Sequence, residues 1–328
     1  MEESAYELEV ITPLIMKGAE DYELRVPSIK GVMRFWFRAM IGCLAESTED
    51  LYKIESSIFG GQDKKSDVTI KILDEKNLIS MEDSQFYKNY PYLLFAYKEK
   101  IERLKYIKEN SSFAVSVCTS DEDKQNIVKA VFDLISLFGG LGQRTRRGFG
   151  SVMLKDFTIK DENDFVEKFG SIYKKLNEYL KNHPELKSTR GDYDKRDFST
   201  FCGGKFCFVK SETSPESALR YLNDNWGRFR KDQKYKEKEE GRLYERRKYF
   251  GLPLKGYNTE SRRSSPLLFK IIKSNKKRYD IVSLFLNANK LIERELLDET
   301  IVEEYFDYLK RSNFELKVYD FSTLLSQG

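Results

Sequence analysis

Histidine is almost missing from this 328-residue chain: His183 is the single one. Catalysis by a histidine pair and metal centres built on imidazoles are thereby excluded. Cysteine is also sparse, with four residues at positions 43, 118, 202 and 207, none in a CxxC pair. That spacing argues against a disulfide framework and against a zinc ribbon. Cys202 and Cys207, in FCGGKFCF, read instead as strand residues around a Gly-Gly bend, and neither a metal nor a cofactor is expected. No stretch reaches the ~18 uninterrupted apolar residues that a membrane span needs. The opening MEESAYELEV has acids and no basic segment, so no secretory signal is expected and a cytoplasmic location is. Short-period repeats are lacking too.

What the chain does have is enough apolar matter to fold. Hydrophobic residues make up 40% and aromatics 14%, far from a disordered composition, while charged residues at 34% give a dense polar surface. The length suits two domains, since a domain typically holds ~100–150 residues. A net charge of +4 conceals clustering. Arg25 to Arg38 carries four Lys/Arg and no acid, and Arg144 to Lys155 again four and none. Lys255 to Arg278 carries eight against Glu260 alone. Acid-free basic stretches near glycines suit phosphate contact, whereas the mixed Lys/Glu run from Arg228 to Lys248 suits a solvated helix.

Hydrophobic periodicity orders these pieces. Tyr6 to Ile11 alternates as a first strand. Pro27-Ser28 opens a helix through IKGVMRFWFRAMIGCLA, with Ser28 as N-cap. Ser66 to Leu73 and Ser112 to Cys118 read as strands, and the Tyr- and Lys-rich Ser84 to Asn110 between them as an insertion. Ser120 caps the clearest helix, with acids at 121 to 123 in its first turn, apolar residues at 127, 128, 131, 132, 135 and 138, and Gly139-Gly140 at its end. Phe149 to Phe157 is the next strand, so roughly 1–160 has the β, α, β, β, α, β order of a ferredoxin-like domain. The remainder, 161–328, reads as a second, degenerate one with a charged helical insertion: a helix over Asn163 to Lys181, a strand over Phe201 to Val209, helical Pro215 to Phe229, a hairpin of Pro266 to Lys273 with Tyr279 to Leu286, and a helix over Glu299 to Lys310. The expected class is therefore α+β, with tandem ferredoxin-like, RRM-like βαββαβ domains.

Two elements carry chemistry. On the first helix Lys30, Arg34 and Arg38 recur every four residues and, at ~100° per residue, fill an arc of roughly 80°. Val32, Phe35, Trp36, Ala39 and Met40 fall on the side expected to face a core. Gly31 costs about 1 kcal/mol of helix propensity, which suits a close backbone approach. The second element, GGLGQRTRRGFGS at Gly139 to Ser151, has five glycines in thirteen residues with Arg144, Arg146 and Arg147 as fork-shaped donors. It is not a Walker A loop, since it follows a helix, precedes a strand and has no GK[ST]; the reversed order also rules out a Rossmann fingerprint. RGFGSVML overlaps the RRM signature RGFGFV in part, but precedes a fourth strand rather than forming the third. The acids of DEDK at Asp121 to Lys124 are explained by the helix dipole rather than by metal.

Together TPLIMKGAE, ELRVPSIKGVMRFWFRA, LFGGLGQRTRRGFGSV, FGLPLKGYN and RRSSPLLFK resemble, along most of the chain, the first subunit of the Cmr complex, a CRISPR type III-B RNA-silencing effector built from RAMP proteins. The resemblance implies a tandem ferredoxin-like fold whose glycine loop faces bound RNA. It also implies other Cmr subunits as partners, with guide RNA and complementary target RNA near the guide's 3′ end, and a part in antiviral defence. The expected RNA-binding set is Lys30, Gly31, Arg34, Arg38, Gly139, Gly140, Gly142, Gln143, Arg144, Thr145, Arg146, Arg147 and Gly148, with Arg25, Ser28, Arg262 and Arg263 as auxiliaries. Gly140 and Gly142 are expected to allow close phosphate approach. Six cations on one groove predict a log–log salt slope of roughly −4 for a single strand. No catalytic residue is expected. The alternative is a metal-independent RAMP-type endoribonuclease, for which His183, in NHPEL at a helix end, is the available general base.

Overall fold

The computed structural model describes residues 1–16, 23–83, 85–95, 104–187, 199–241, 246–251, 264–274, 278–288 and 299–326. The elements run β1 (Glu2–Val10), α1 (Val26–Ile41), α2 (Thr48–Phe59), β2 (Thr69–Asp74), β3 (Ser80–Asp83), α3 (Phe86–Asn89), β4 (Leu104–Ile107), β5 (Ser112–Thr119), α4 (Glu122–Phe138) and β6 (Val152–Leu154) in the first half. The second half holds α5 (Glu162–Asn182), β7 (Thr200–Glu212), α6 (Pro215–Glu239), β8 (Leu267–Lys273), β9 (Tyr279–Asn287), α7 (Glu299–Ser312), β10 (Val318–Asp320) and α8 (Phe321–Ser326).

Alternation builds the first sheet. In β1, Tyr6, Leu8 and Val10 are buried while Glu3, Ala5 and Glu7 alternate to the other face. β1 pairs antiparallel with β5 and β6, and β2 completes the order β2-β5-β1-β6. Counting β1, β2, β5 and β6 as first to fourth, that order is 4-1-3-2 reversed. The second sheet, β10-β7-β9-β8, gives the same order when β7, β8, β9 and β10 are counted alike, and it too is antiparallel throughout. β3 and β4 form a separate two-stranded ladder, with β4 inside the stretch expected to be an insertion and β3 just ahead of it. One hydrophobic cluster runs through both halves, from Tyr6 to Phe321.

Several expected boundaries shift for local reasons. α1 starts a turn early: Arg25 is its N-cap and Pro27 lies in its first turn, where a missing N–H is harmless, so Ser28 is already helical. Asp121, not Ser120, caps α4, its carboxylate accepting from the Lys124 N–H at 2.9 Å. The helix α2 escaped the sequence reading; its N-cap Ser47 accepts from the Asp50 N–H at 3.0 Å, and it packs on α1. β10 and α8 were also missed, both being too short for periodicity. Conversely, the strand expected over Phe149 to Phe157 is only Val152–Leu154.

Candidate nucleic-acid interface

The helix stripe does not stand free. Arg34 Nε and Arg38 Nη1 both donate to the same oxygen of Glu55 on α2, at 2.5 and 2.8 Å, and Glu55 is only 5% exposed. The flank had been expected to offer no acid; Glu55 comes from the helix that was missed. Lys30 Nζ donates to Ser66 Oγ at 2.5 Å and to the Val68 carbonyl at 3.1 Å, and burial, then the charge of Arg34, lowers its pKa. The three cations therefore lean toward α2 and the start of β2. Gly31, one step round the helix, is exposed, and a Cβ there would meet nothing within 4 Å. It is open surface rather than a close contact with the protein itself.

The glycine loop is shaped by its own packing. Gly142, Gly148 and Gly150 have φ of 81°, 85° and 60°, the left-handed region that glycine tolerates. A Cβ on Gly142 would strike the Ile15 carbonyl, and one on Gly140 would lie 2.7 Å from the Gly150 carbonyl. The space where a Cβ would stand on these two glycines is thus filled by the chain itself. Gly139 ends α4 and lies against Trp36, whose Nε1 would be 2.6 Å from an added Cβ. The Thr12 hydroxyl donates to the Gly148 carbonyl at 2.7 Å and accepts from the Ser151 N–H at 2.9 Å, and the Gln143 N–H donates to the Ile15 carbonyl at 2.6 Å. The TPLIM segment and the loop are therefore one unit. This explains why both motifs occur in the same sequence.

The three loop arginines part company. Arg147 turns into the second half, donating to the Leu267 and Phe250 carbonyls at 3.2 and 3.3 Å and lying over the rings of Trp226 and Phe269. Burial, with the charges of Arg230, Arg144 and Arg146 around it, lowers its pKa, and its guanidinium packs on the second half beside the phosphate-facing role expected of it. Arg146 Nη1 donates to the Ser265 carbonyl at 2.5 Å while its guanidinium lies 5.0 Å from the centroid of Phe35 on α1. Arg144 is left-handed, with φ 62°, and half-buried, and Gln143 is exposed at the loop tip. Thr145 and Arg146 face Ser28, Gly31, Val32 and Phe35 of α1 across a groove of about 220 Å³, closed at its base by Trp36 and Phe138. Val32 and Phe35 had been assigned to the core; they are half-buried walls of this groove.

Sequence reasoning missed the residue that fixes the loop from behind. Lys270 of β8, fully buried, donates to the carbonyls of Ile135, Gly139 and Val152 at 3.2, 2.5 and 2.7 Å. Desolvation pulls its pKa well below the usual lysine range, while three carbonyls, two of them at the C-terminal end of α4, accept all the hydrogens of an ammonium. The signal in the sequence was a Lys in the middle of an apolar run, LLFKII within PLLFKIIK.

Other expected contributors lie apart. Arg25 pairs with Glu23 at 3.3 Å on the surface, and Arg262 and Arg263 lie outside the described residues, as does most of FGLPLKGYN. Phe149, in the segment that overlaps the RRM signature, is buried against Phe86 and Tyr90. His183 sits just past α5, its ring centroid 4.4 Å from that of Tyr179 at a tilt of 44°, and 3.1 Å from Glu185 Oε1. Among the described residues no cluster of three or more His, Cys, Asp or Glu side chains is placed to hold a metal ion. Among them, too, no helix is long and apolar enough to cross a membrane.

Known proteins share this fold. The sequence profile of the RAMP superfamily matches residues 7–153, which span α1 and the whole glycine loop. A Pyrococcus furiosus protein named CRISPR system Cmr subunit Cmr1-2 is 32% identical over 180 residues, covering 47% of this chain and 96% of its own. The chain belongs to the Cmr1 family of RAMP proteins. A second family member from the same organism, Cmr subunit Cmr1-1, is 27% identical over 312 residues, covering 86% of this chain and 87% of its own. The apo crystal structure of Pyrococcus furiosus Cmr1 has the same fold, with a TM-score of 0.67 at 21% identity over 97% of this chain and 98% of that one. A chain of the type III-B Cmr-beta complex bound to cognate target RNA aligns with a TM-score of 0.59 at 15% identity, covering 94% and 98%.

Proposed function

We propose that this chain is a non-catalytic RNA-binding subunit of a type III-B Cmr effector complex, seated beside other Cmr subunits and touching guide RNA, target RNA or both near the 3′ end of the guide. Family membership supports the assembly, and the names of its relatives supply the complex. The observation that carries the RNA reading is the groove between α1 and the glycine loop, where Phe35 and Arg146 form an aromatic–guanidinium wall and Gly31, a turn before Phe35 on the same face of α1, leaves the space beside it open. Such a wall stacks an unpaired base as readily as it holds a phosphate. The two sheets of like strand order support reading residues 1–160 and 161–328 as tandem ferredoxin-like domains.

The cation count of α1 and the loop together falls below the six counted on the sequence, and of the six it is Arg146 that lines the groove itself. Arg147 is turned inward, and Glu55 neutralises one of Arg34 and Arg38. About four net positive charges remain, for which single-strand counterion release gives a salt slope of roughly −3. The direct experiment measures the affinity of the purified chain for single-stranded RNA against salt, with and without divalent metal, and looks for cleavage products. Binding with that slope and intact RNA is expected; defined cleavage abolished by His183→Ala would replace this reading with a ribonuclease.

A further inference from the structure

A second cavity, of about 490 Å³, lies between α6, the end of α7 and β7, away from the loop groove. The face of α6 that lines it is Tyr221, Asp224, Asn225 and Arg228, spaced i, i+3, i+4 and i+7. On a helix packed against a sheet, that spacing ordinarily holds apolar residues that fill the gap to the next helix. Here α6 buries Leu222, Trp226 and Phe229 on its neighbouring face and leaves a polar, aromatic stripe opposite Tyr308 of α7. Lys210 of β7 stands at the mouth, 4.5 Å from the Tyr221 centroid and 2.8 Å from Glu212. Asn225 is only 8% exposed, and its side-chain oxygen has no hydrogen-bond partner. A buried acceptor left unpaired calls for a donor from elsewhere.

We propose that this cavity binds a nucleoside monophosphate unit. The chemistry selects it over other anions. Tyr221 and Tyr308 offer ring faces for a base, Arg228 and Lys210 a cationic rim for a phosphate, and Asp224 an acceptor for ribose hydroxyls. Asp224 on the same rim works against inorganic phosphate or an acidic peptide, which gain nothing from a carboxylate. The Asn225 amide, turning about its last torsion, meets the donor on a base edge. A volume of 490 Å³ falls in the range of small-ligand pockets. The site does not depend on the RNA reading of the loop groove.

The test is equilibrium dialysis of the full chain with the four ribonucleoside monophosphates, inorganic phosphate and ribose 5-phosphate at about 1 mM, where even a millimolar site is half filled. Saturable binding of at least one mononucleotide, tighter than either fragment, is expected. Arg228→Gln, at an exposed position, should weaken it roughly tenfold, the scale of one charge-assisted contact. Tyr308→Leu should do likewise while Tyr308→Phe retains binding, and Asp224→Asn should lessen the advantage of the ribonucleotides over the matching deoxyribonucleotides dialysed alongside. Arg146→Ala should remove only mononucleotide held in the loop groove and leave the Arg228-dependent fraction in place, which separates this cavity from the loop groove. Displacement by short single-stranded RNA in the Arg146→Ala background would identify an RNA nucleotide as the source, and no displacement a free nucleotide; both agree with the proposal. No saturable mononucleotide binding, equal binding of inorganic phosphate, or indifference to Arg228→Gln would overturn it.

Discussion

Arg146 bridges two halves of the molecule: its guanidinium lies 5.0 Å from the centroid of Phe35 on α1 while its Nη1 donates to the Ser265 carbonyl just ahead of β8. A planar cation held on both sides cannot swing as a surface lysine does, so the ring and the fork are presented together at the wall of the groove.

That pairing separates charge from shape. Arg146→Lys keeps the charge and loses the stacking plane, and Phe35→Leu keeps apolar bulk and loses the ring. Both should lower single-strand RNA affinity by about 1–2 kcal/mol, the low end of base–aromatic stacking, with the salt slope unchanged. Arg146→Ala should in addition make the slope shallower by about 0.7. Fluorescence anisotropy across a salt series checks all three. An Arg146→Lys protein binding as well as the parent would show that only charge matters at this wall.

Glu55 provides a gain-of-affinity test. It holds Arg34 and Arg38 through one oxygen, from a site 5% exposed. Glu55→Ala should release both arginines, lower stability by about 1–2 kcal/mol through the lost charge-assisted bonds, and tighten RNA binding with a steeper salt slope. Denaturant melts and anisotropy on the same preparation read the two effects. Lower stability with unaltered affinity would remove the helix stripe from the interface.

Much of this was legible in the sequence, for definite reasons. β1, α4 and the β8–β9 hairpin carry strong periodicity and clear stops, and the glycines of the loop mark left-handed turns that few other residues adopt. The partners of the charges were not legible. Arg34, Arg38 and Glu55 meet only because α2 packs on α1, and α2's amphipathic pattern, TEDLYKIESSIF, is diluted by its buried serines and acids. Arg146 and Arg147 are adjacent in sequence, yet one faces the groove and the other the second half, a divergence set by the short 3₁₀ turn that joins them. Lys270 reads as an anomaly in an apolar strand until the carbonyls of α4 and β6 are brought to it.

Acid stability should report the charge network between α6 and α7. Burial raises the Glu304 carboxyl, but hydrogen bonds from Arg246, Lys236 and Gln233 outweigh it and hold the pKa down to about 2. A carboxylate lowered on folding stabilises the native state above its unfolded value, near ~4.3, and that contribution drains away as pH falls toward the folded value. The melting temperature of the parent should therefore exceed that of Glu304→Gln at pH 7. The gap should close between about pH 4.5 and pH 2. A gap independent of pH would mean that Glu304 acts through packing alone.

Lys270 supplies the sharpest test of how the glycine loop is held. Its ammonium satisfies the carbonyls of Ile135, Gly139 and Val152 in a site without solvent access. Lys270→Met fills nearly the same volume but takes the ammonium from three buried carbonyls, of which that of Ile135 keeps the Gly139 N–H, so a loss of about 3 kcal/mol is expected, against the gain that a fully apolar replacement of both partners would give. Because Gly139 begins the loop that carries Arg144 and Arg146, the damage should extend beyond stability. Amide hydrogen exchange of residues 139–151 should accelerate well beyond the rest of the first sheet, and RNA affinity should fall although Lys270 touches no solvent. Uniform destabilisation with loop protection preserved would mean that the Thr12 and Ile15 contacts position the loop unaided, and that the buried lysine serves only to join β8 to α4.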